Sequence, residues 1–163
     1  MICHLGLGSN LADPAAQIRA AFSALDQLPE TRLVACSDLY LSRPVGPQDQ
    51  PDFINAAASI DTRLPPLTLL AELQRLESLA GRVRHRHWGE RTLDLDILLL
   101  ADQIIDLPEL TIPHPRLCER AFVLIPLYQI APTLILPDGS PLEAHWQRCN
   151  KEGVWYHEAA PSH

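Results

Sequence analysis

Residues 53–100, FINAAASIDTRLPPLTLLAELQRLESLAGRVRHRHWGERTLDLDILLL, decide the fold, because the hydrophobic period changes twice within them. Phe53–Asp61 reads as a strand. After the breaker Pro65-Pro66, Leu69, Leu70, Leu73, Leu76 and Ala80 recur on one helical stripe, and Gly81 stands where a C′ glycine ends a helix. From Thr92 to Leu100 the period returns to two. Leu93, Leu95, Ile97 and Leu99 are expected on one face of that strand, Asp94 and Asp96 on the other.

Upstream, Ile2–Gly8 reads as a first strand. Asp13-Pro14 supplies an N-cap and a first-turn proline to a helix carrying Ile18, Ala21, Phe22, Leu25 and Leu28. A second strand covers about Arg32–Leu41, and a loop rich in Pro and Gly follows over Arg43–Pro51. The order β-α-β-β-α-β predicts an α+β, ferredoxin-like core: an antiparallel sheet with two helices on one face. A helix around Arg120–Gln129 and a short strand at Leu134–Leu136 are expected in a C-terminal extension, whose last twenty or so residues carry little pattern.

The chain has 163 residues and 18.2 kDa, which suits one domain over residues 1–163. Thirteen basic against twenty acidic residues leave a formal net charge of −7, so a nucleic-acid partner is not expected. No apolar run approaches the roughly 20 residues of a membrane span, and the N-terminus lacks a basic leader, so a cytoplasmic protein is expected. Cys3, Cys36, Cys118 and Cys149 show no C-x-x-C spacing.

Twelve of the basic residues are Arg, and Arg82, Arg84, Arg86 and Arg91 crowd into ten positions. Planar guanidinium forks suit phosphate, so this cluster marks a local anion site in an acidic chain, against the plainer reading of a solvated loop. Just downstream, Asp94 and Asp96 lie about 6.5–7 Å apart on one strand face, where both can converge on hard cations. Aspartate is depleted in strands and like charges repel, which favours a ligand role over a bare strand edge. A metal pair beside arginines is how proteins hold and polarise a nucleoside polyphosphate.

Gly6-Leu7-Gly8-Ser9-Asn10 is neither a dinucleotide fingerprint nor a Walker A loop, and alone reads as a tight turn. An Asp-x-Asp pair also serves nucleotidyltransferases, but there it follows the Gly-Ser closely. Phe53 and Asn55 share a strand face and offer an apolar surface beside an amide, enough for a planar heterocycle, although an interior Phe and a bonded Asn is the commoner meaning. Gln74 and Glu77 lie three apart on the second helix. Trp88 in the arginine loop suits covering a ligand, and His114 sits between two prolines.

Taken together these segments resemble the 6-hydroxymethyl-7,8-dihydropterin pyrophosphokinase family. The matching stretches are Gly6–Leu11, Pro44–Ala56, Gly81–Arg84, Trp88–Ile97, Ile112–Arg116 and Arg120–Leu124, in family order over about residues 1–137, leaving 138–163 as a poorly matched tail. The resemblance implies Mg²⁺-dependent transfer of pyrophosphate from ATP to the hydroxymethyl group of the reduced pterin, giving the pterin diphosphate and AMP in folate biosynthesis. It implies that Asp94 and Asp96 hold two Mg²⁺ ions and that Arg82 and Arg91 neutralise phosphate charge. It assigns Gln74, Glu77, Arg82, Arg84, Trp88, Arg91, Ile97, Thr111, His114 and Arg120 to ATP. It assigns Ser42, Val45, Phe53, Asn55 and Phe122 to the pterin. Family members close two Gly/Pro-rich loops over their substrates, and a monomer is expected. Glu90 departs from the family's W-G-P-R pattern. The competing readings are a catalytically weak nucleotide- or pterin-binding paralogue and a metal-dependent phosphohydrolase.

Overall fold

The computed structural model describes residues 1–44, 46, 48–81 and 92–161. Val45, Arg82, Arg84, Trp88, Glu90 and Arg91, all singled out above, lie outside the described residues. The elements run β1 (Ile2–Ser9), α1 (Pro14–Asp26), β2 (Thr31–Cys36), β3 (Leu39–Ser42), β4 (Phe53–Thr62), α2 (Pro66–Leu79) and β5 (Asp94–Leu100). They continue with β6 (Ile105–Asp106), β7 (Thr111–Ile112), α3 (Ala121–Ile130), α4 (Leu142–Arg148) and β8 (Val154–Glu158). The main sheet is antiparallel in the order β5-β1-β4-β3-β8, with β2 also on β4. With β2 and β3 sharing one edge of β4, this is the ferredoxin-like core the sequence predicts.

Local signals set the helix ends. The Asp13 carboxylate accepts from Ala16 N–H at 3.4 Å, with Pro14 in the first turn of α1. Gly81, at φ +77°, follows α2 and donates to Ser78 O at 3.0 Å. Ile18, Phe22 and Leu25 of α1 and Leu69 and Leu73 of α2 are buried against Leu5, Leu7, Ala58, Ile60, Leu95 and Ile97 of the sheet.

Four expectations are corrected. First, the sheet is covered on both faces: Leu124 and Leu127 of α3 and Leu142 of α4 form a second core with Ala57, Leu98 and Leu99. Second, the expected strand Arg32–Leu41 is split at Ser37. Its N–H donates to Ala57 O at 2.9 Å while its hydroxyl accepts from Ala57 N–H at 2.8 Å, so a side chain replaces a ladder carbonyl and the chain bends. Third, a bulge interrupts β5: Leu5 pairs with Ile97 but His4 with Leu99, leaving Leu98 as the extra residue. Leu99 therefore joins the α3 side, away from Leu95 and Ile97. Fourth, Leu134–Leu136 makes only an isolated bridge, Ile135 to Pro141, whereas the tail folds into α4 and β8.

Tyr128 of α3 stacks on Trp146 of α4, with ring centroids 4.2 Å apart, and Asp38 accepts from Ala160 N–H at 2.8 Å. Among the described residues no helix is long and apolar enough to cross a membrane.

His4 is buried on the α3 side between its register partners Ser59 and Leu99. Desolvation lowers its pKa, so the unfolded chain takes up a proton at a pH where the folded one does not. Stability is expected to be level above about pH 7 and to fall as pH drops through about 6.5. Urea midpoints between pH 8 and 5 test this. His4→Gln, neutral throughout, should flatten the profile; equal slopes for both proteins would show that His4 contributes nothing.

Candidate functional site

The sheet's α3 side is only partly covered. Toward the Ser9 end of β1 that side carries a row set by register: Asp94 of β5 pairs with Gly8 of β1, and Gly8 with Asn55 of β4. One rung along, Asp96 pairs with Gly6 and Gly6 with Ala57. The two Gly-x-Gly positions thus face the two Asp-x-Asp positions. Asn55 and Asp94, two strands apart, bracket the bare backbone of Gly8 at roughly 10 Å. A Cβ at Gly8 would sit 3.2 Å from Asn55 Nδ2 and 3.8 Å from Phe53 Cδ1, so glycine keeps this floor flat.

Gly6 and Gly8 lie in the strand expected over Ile2–Gly8, which runs one residue further, and where a tight turn was expected the two residues after Gly8 are clamps. The Ser9 hydroxyl donates to Thr92 O at the entrance to β5. Asn10, buried, donates from Nδ2 to Gln50 Oε1 at 3.0 Å and to Pro51 O at 2.9 Å, tying the Pro-rich loop to the end of β1. The readable signal was the matching i, i+2 spacing of Gly and Asp; the pairing that gives it meaning was not.

Ser42 of β3 pairs with Phe53, and its hydroxyl donates to Asn55 Oδ1, while Asn55 Nδ2 lies beside Gly8. Phe122 lies in the first turn of α3, with the Arg120 guanidinium carbon 5.5 Å from its ring centroid. Ser42, Arg120 and Phe122 line one cleft of about 580 Å³.

His114 is carried to β5 by its N–H, which donates to Leu98 O at 2.9 Å. Its Nδ1 accepts from Arg116 N–H at 3.1 Å, which leaves Nε2 to bear the proton of the neutral ring. Burial first, then Arg120 and Arg116, lower its pKa against the opposing pull of Asp94. Arg120 is lowered by burial and Arg116 and raised by Asp96 and Asp94, so these charges share one field.

Asp94 and Asp96 are half-buried. Among the described residues no group of three or more His, Cys, Asp or Glu could hold a metal ion. Two carboxylates fit the habit of Mg²⁺, which takes one or two from protein and completes its octahedron with phosphate oxygens and water.

Other predicted residues fall elsewhere. Glu77 is buried, and its Oε2 accepts from Leu95 N–H at 2.8 Å, satisfying a donor on the edge strand between the two aspartates. Gln74 is exposed on α2, Thr111 is exposed on β7, and Ile97 is buried on the α1–α2 side. The structure therefore brings together Asp94, Asp96, His114 and Arg120, and separately Ser42, Phe53, Asn55 and Phe122, but does not bring Gln74 or Ile97 to that face.

Comparison with known proteins gives the same family. Residues 4–132 match the model of 7,8-dihydro-6-hydroxymethylpterin-pyrophosphokinase (HPPK). A 2-amino-4-hydroxy-6-hydroxymethyldihydropteridine pyrophosphokinase of Pseudomonas aeruginosa is 55% identical over 151 residues, 93% of each chain. Its namesake from Haemophilus influenzae is 56% identical over 135 residues, 83% of this chain and 84% of that one. Among solved structures, Plasmodium falciparum HPPK-DHPS with pteroate superposes with a TM-score of 0.71 at 15% identity, over 90% of this chain and 42% of that one. At that identity the likeness speaks for the fold.

Proposed function

Because the chain belongs to the 7,8-dihydro-6-hydroxymethylpterin-pyrophosphokinase family, and so is an ATP-dependent diphosphokinase of folate biosynthesis, we propose that it moves the β,γ-pyrophosphoryl group of ATP as a unit onto the hydroxymethyl oxygen of 6-hydroxymethyl-7,8-dihydropterin. The oxygen–Pβ bond forms as the Pα–O–Pβ bond breaks, the hydroxyl proton leaves to water, and AMP departs. The observation that carries this reading is the register placing Asn55 and Asp94 on either side of Gly8.

Asn55, held by Ser42, offers its Nδ2 donor to the pyrimidine edge of the pterin. Phe53 and Phe122 supply apolar faces for the ring. That placement points the hydroxymethyl arm along the Gly8 floor toward β5. Asp94 and Asp96 would hold two Mg²⁺ ions, which when bound withdraw charge from the phosphate oxygens. His114 in its Nε2–H form donates without adding a charge, and Arg120 offers a fixed positive fork. Arg82 and Arg91, by the resemblance, offset charge that builds as the bridging bond breaks. Arg84 and Trp88 belong by the same resemblance to the ATP side, and the Val45 backbone to the pterin side. The carboxylates and the pterin residues come from one chain, so the proposed site needs no second copy, and the proposal is a monomer acting on small molecules.

The test is AMP formation from ATP and Mg²⁺ with and without 6-hydroxymethyl-7,8-dihydropterin. Pterin-dependent AMP is expected. ADP and phosphate released without pterin would mean a phosphohydrolase; binding of ATP or pterin without turnover would mean a sensing paralogue.

A further inference from the structure

The C-terminal segment lies beyond residues 4–132 of the family match, yet it builds part of the site. Strand β8 runs along β3 with Val154 opposite Ser42 and Trp155 opposite Leu41. The turn before it and the start of β8, residues 150–155, form one wall of the 580 Å³ cleft that Ser42, Arg43, Arg120 and Phe122 also line. A cleft of that size suits a small planar ligand.

Two contacts join this segment to the residue next to Ser42. Arg43 N–H donates to Gly153 O at 3.3 Å, and the Arg43 guanidinium carbon lies 5.5 Å from the centroid of the Trp155 ring. Gly153 has φ +84°, a backbone conformation that favours glycine, so its carbonyl is aimed by the turn. Strand alternation puts Trp155 on the face of Leu41, opposite to Ser42. Trp155 and Arg43 nevertheless both border the cleft, so their contact braces its β8 wall beside Ser42.

Resting on the pterin-site reading above, we propose that Trp155 and Gly153 are positioning residues of the pterin site: they hold Arg43, and through it Ser42, whose hydroxyl sets the Asn55 amide. The aspartates lie at the other end of the row, on β5, so the effect is confined to pterin recognition.

The test compares full-length wild type with Trp155→Ala, Trp155→Phe, Arg43→Ala and the Trp155→Ala/Arg43→Ala pair, measuring KM for each substrate, kcat and Tm. Trp155→Ala and Arg43→Ala should each raise the pterin KM about five- to tenfold, with the ATP KM and kcat within about twofold of wild type. Trp155→Phe keeps a ring face for the guanidinium and should restore the pterin KM. The double variant should be no worse than either single one, because both remove one contact. Arg43 is exposed, so its variant probes the contact without disturbing β8. An unchanged pterin KM in both single variants, or a rise in both KM values that follows a fall in Tm, overturns the proposal. Wild type that binds no pterin overturns the site reading itself, an outcome distinct from variants that match a pterin-binding wild type.

Discussion

Replacing Asp96 with alanine is expected to lower kcat for pterin-dependent AMP release by about three orders of magnitude or more, several kcal/mol at about 1.36 kcal/mol per decade. Asp96 and Asp94 are the carboxylates on the Gly6–Gly8 side of β5, and no third acidic or histidine ligand among the described residues completes a metal group with them. On the proposed reading, losing one would remove half of the protein's hold on the cations. The phosphate charge that builds during transfer then meets only Arg and His donors, which the Asp field itself had balanced. Pterin binding should stay within about twofold, because Asn55 and Phe53 are two strands away on β4. Tm should hold or rise, since the substitution relieves repulsion between neighbouring carboxylates. Kinetics, pterin titration and a melting curve on the same preparation check all three. A variant that keeps a tenth of wild-type kcat would remove the Asp pair from the mechanism.

Gly8→Val is expected to lower kcat/KM for the pterin about a hundredfold while leaving ATP binding in place. The first added carbon meets Asn55 Nδ2 at 3.2 Å, tighter than ordinary contact, and Phe53 Cδ1 at 3.8 Å. The amide must leave its bond with Ser42 or the backbone must shift, and the two methyls would fill the floor that the hydroxymethyl arm is proposed to cross. Gly8→Ala should fall between valine and wild type. Valine suits a strand better than glycine, which offsets part of that cost, so stability should fall far less than activity. That disproportion separates a role in the site from a role in folding. Equal losses of both would instead make Gly8 a packing residue.

Much of the site was legible because strand alternation is a local property. Asp94 with Asp96, and Phe53 with Asn55, had to share faces whatever their strands paired with. His114 and Phe122 were harder: each lies in a segment whose own period says nothing of the sheet, and only the resemblance gave them a role. Glu77 shows the limit of helix-face reasoning. It lies three residues from Gln74 on the helix, yet Gln74 is exposed while burial against β5 turned the Glu77 carboxylate onto Leu95 N–H. The paired bulge and bend were invisible for another reason. Nothing in the unbroken run Leu98-Leu99-Leu100 says that one residue is extra, and that count exists only when β5 is laid against β1.

The sequence by itself determined the β-α-β-β-α-β order of the core, the cap of α1 and the glycine end of α2, and which strand residues face together where no bulge intervenes, since these follow from periods of two and 3.6 and from local capping chemistry. Tertiary structure alone decided the second covered face, the place of β8 beside Ser42, and the register that sets Gly8 between Asn55 and Asp94. Pairing joins residues dozens of positions apart through backbone groups that are chemically alike along the whole strand. Register is therefore selected by the packing of the complete sheet, which no local stretch of sequence contains.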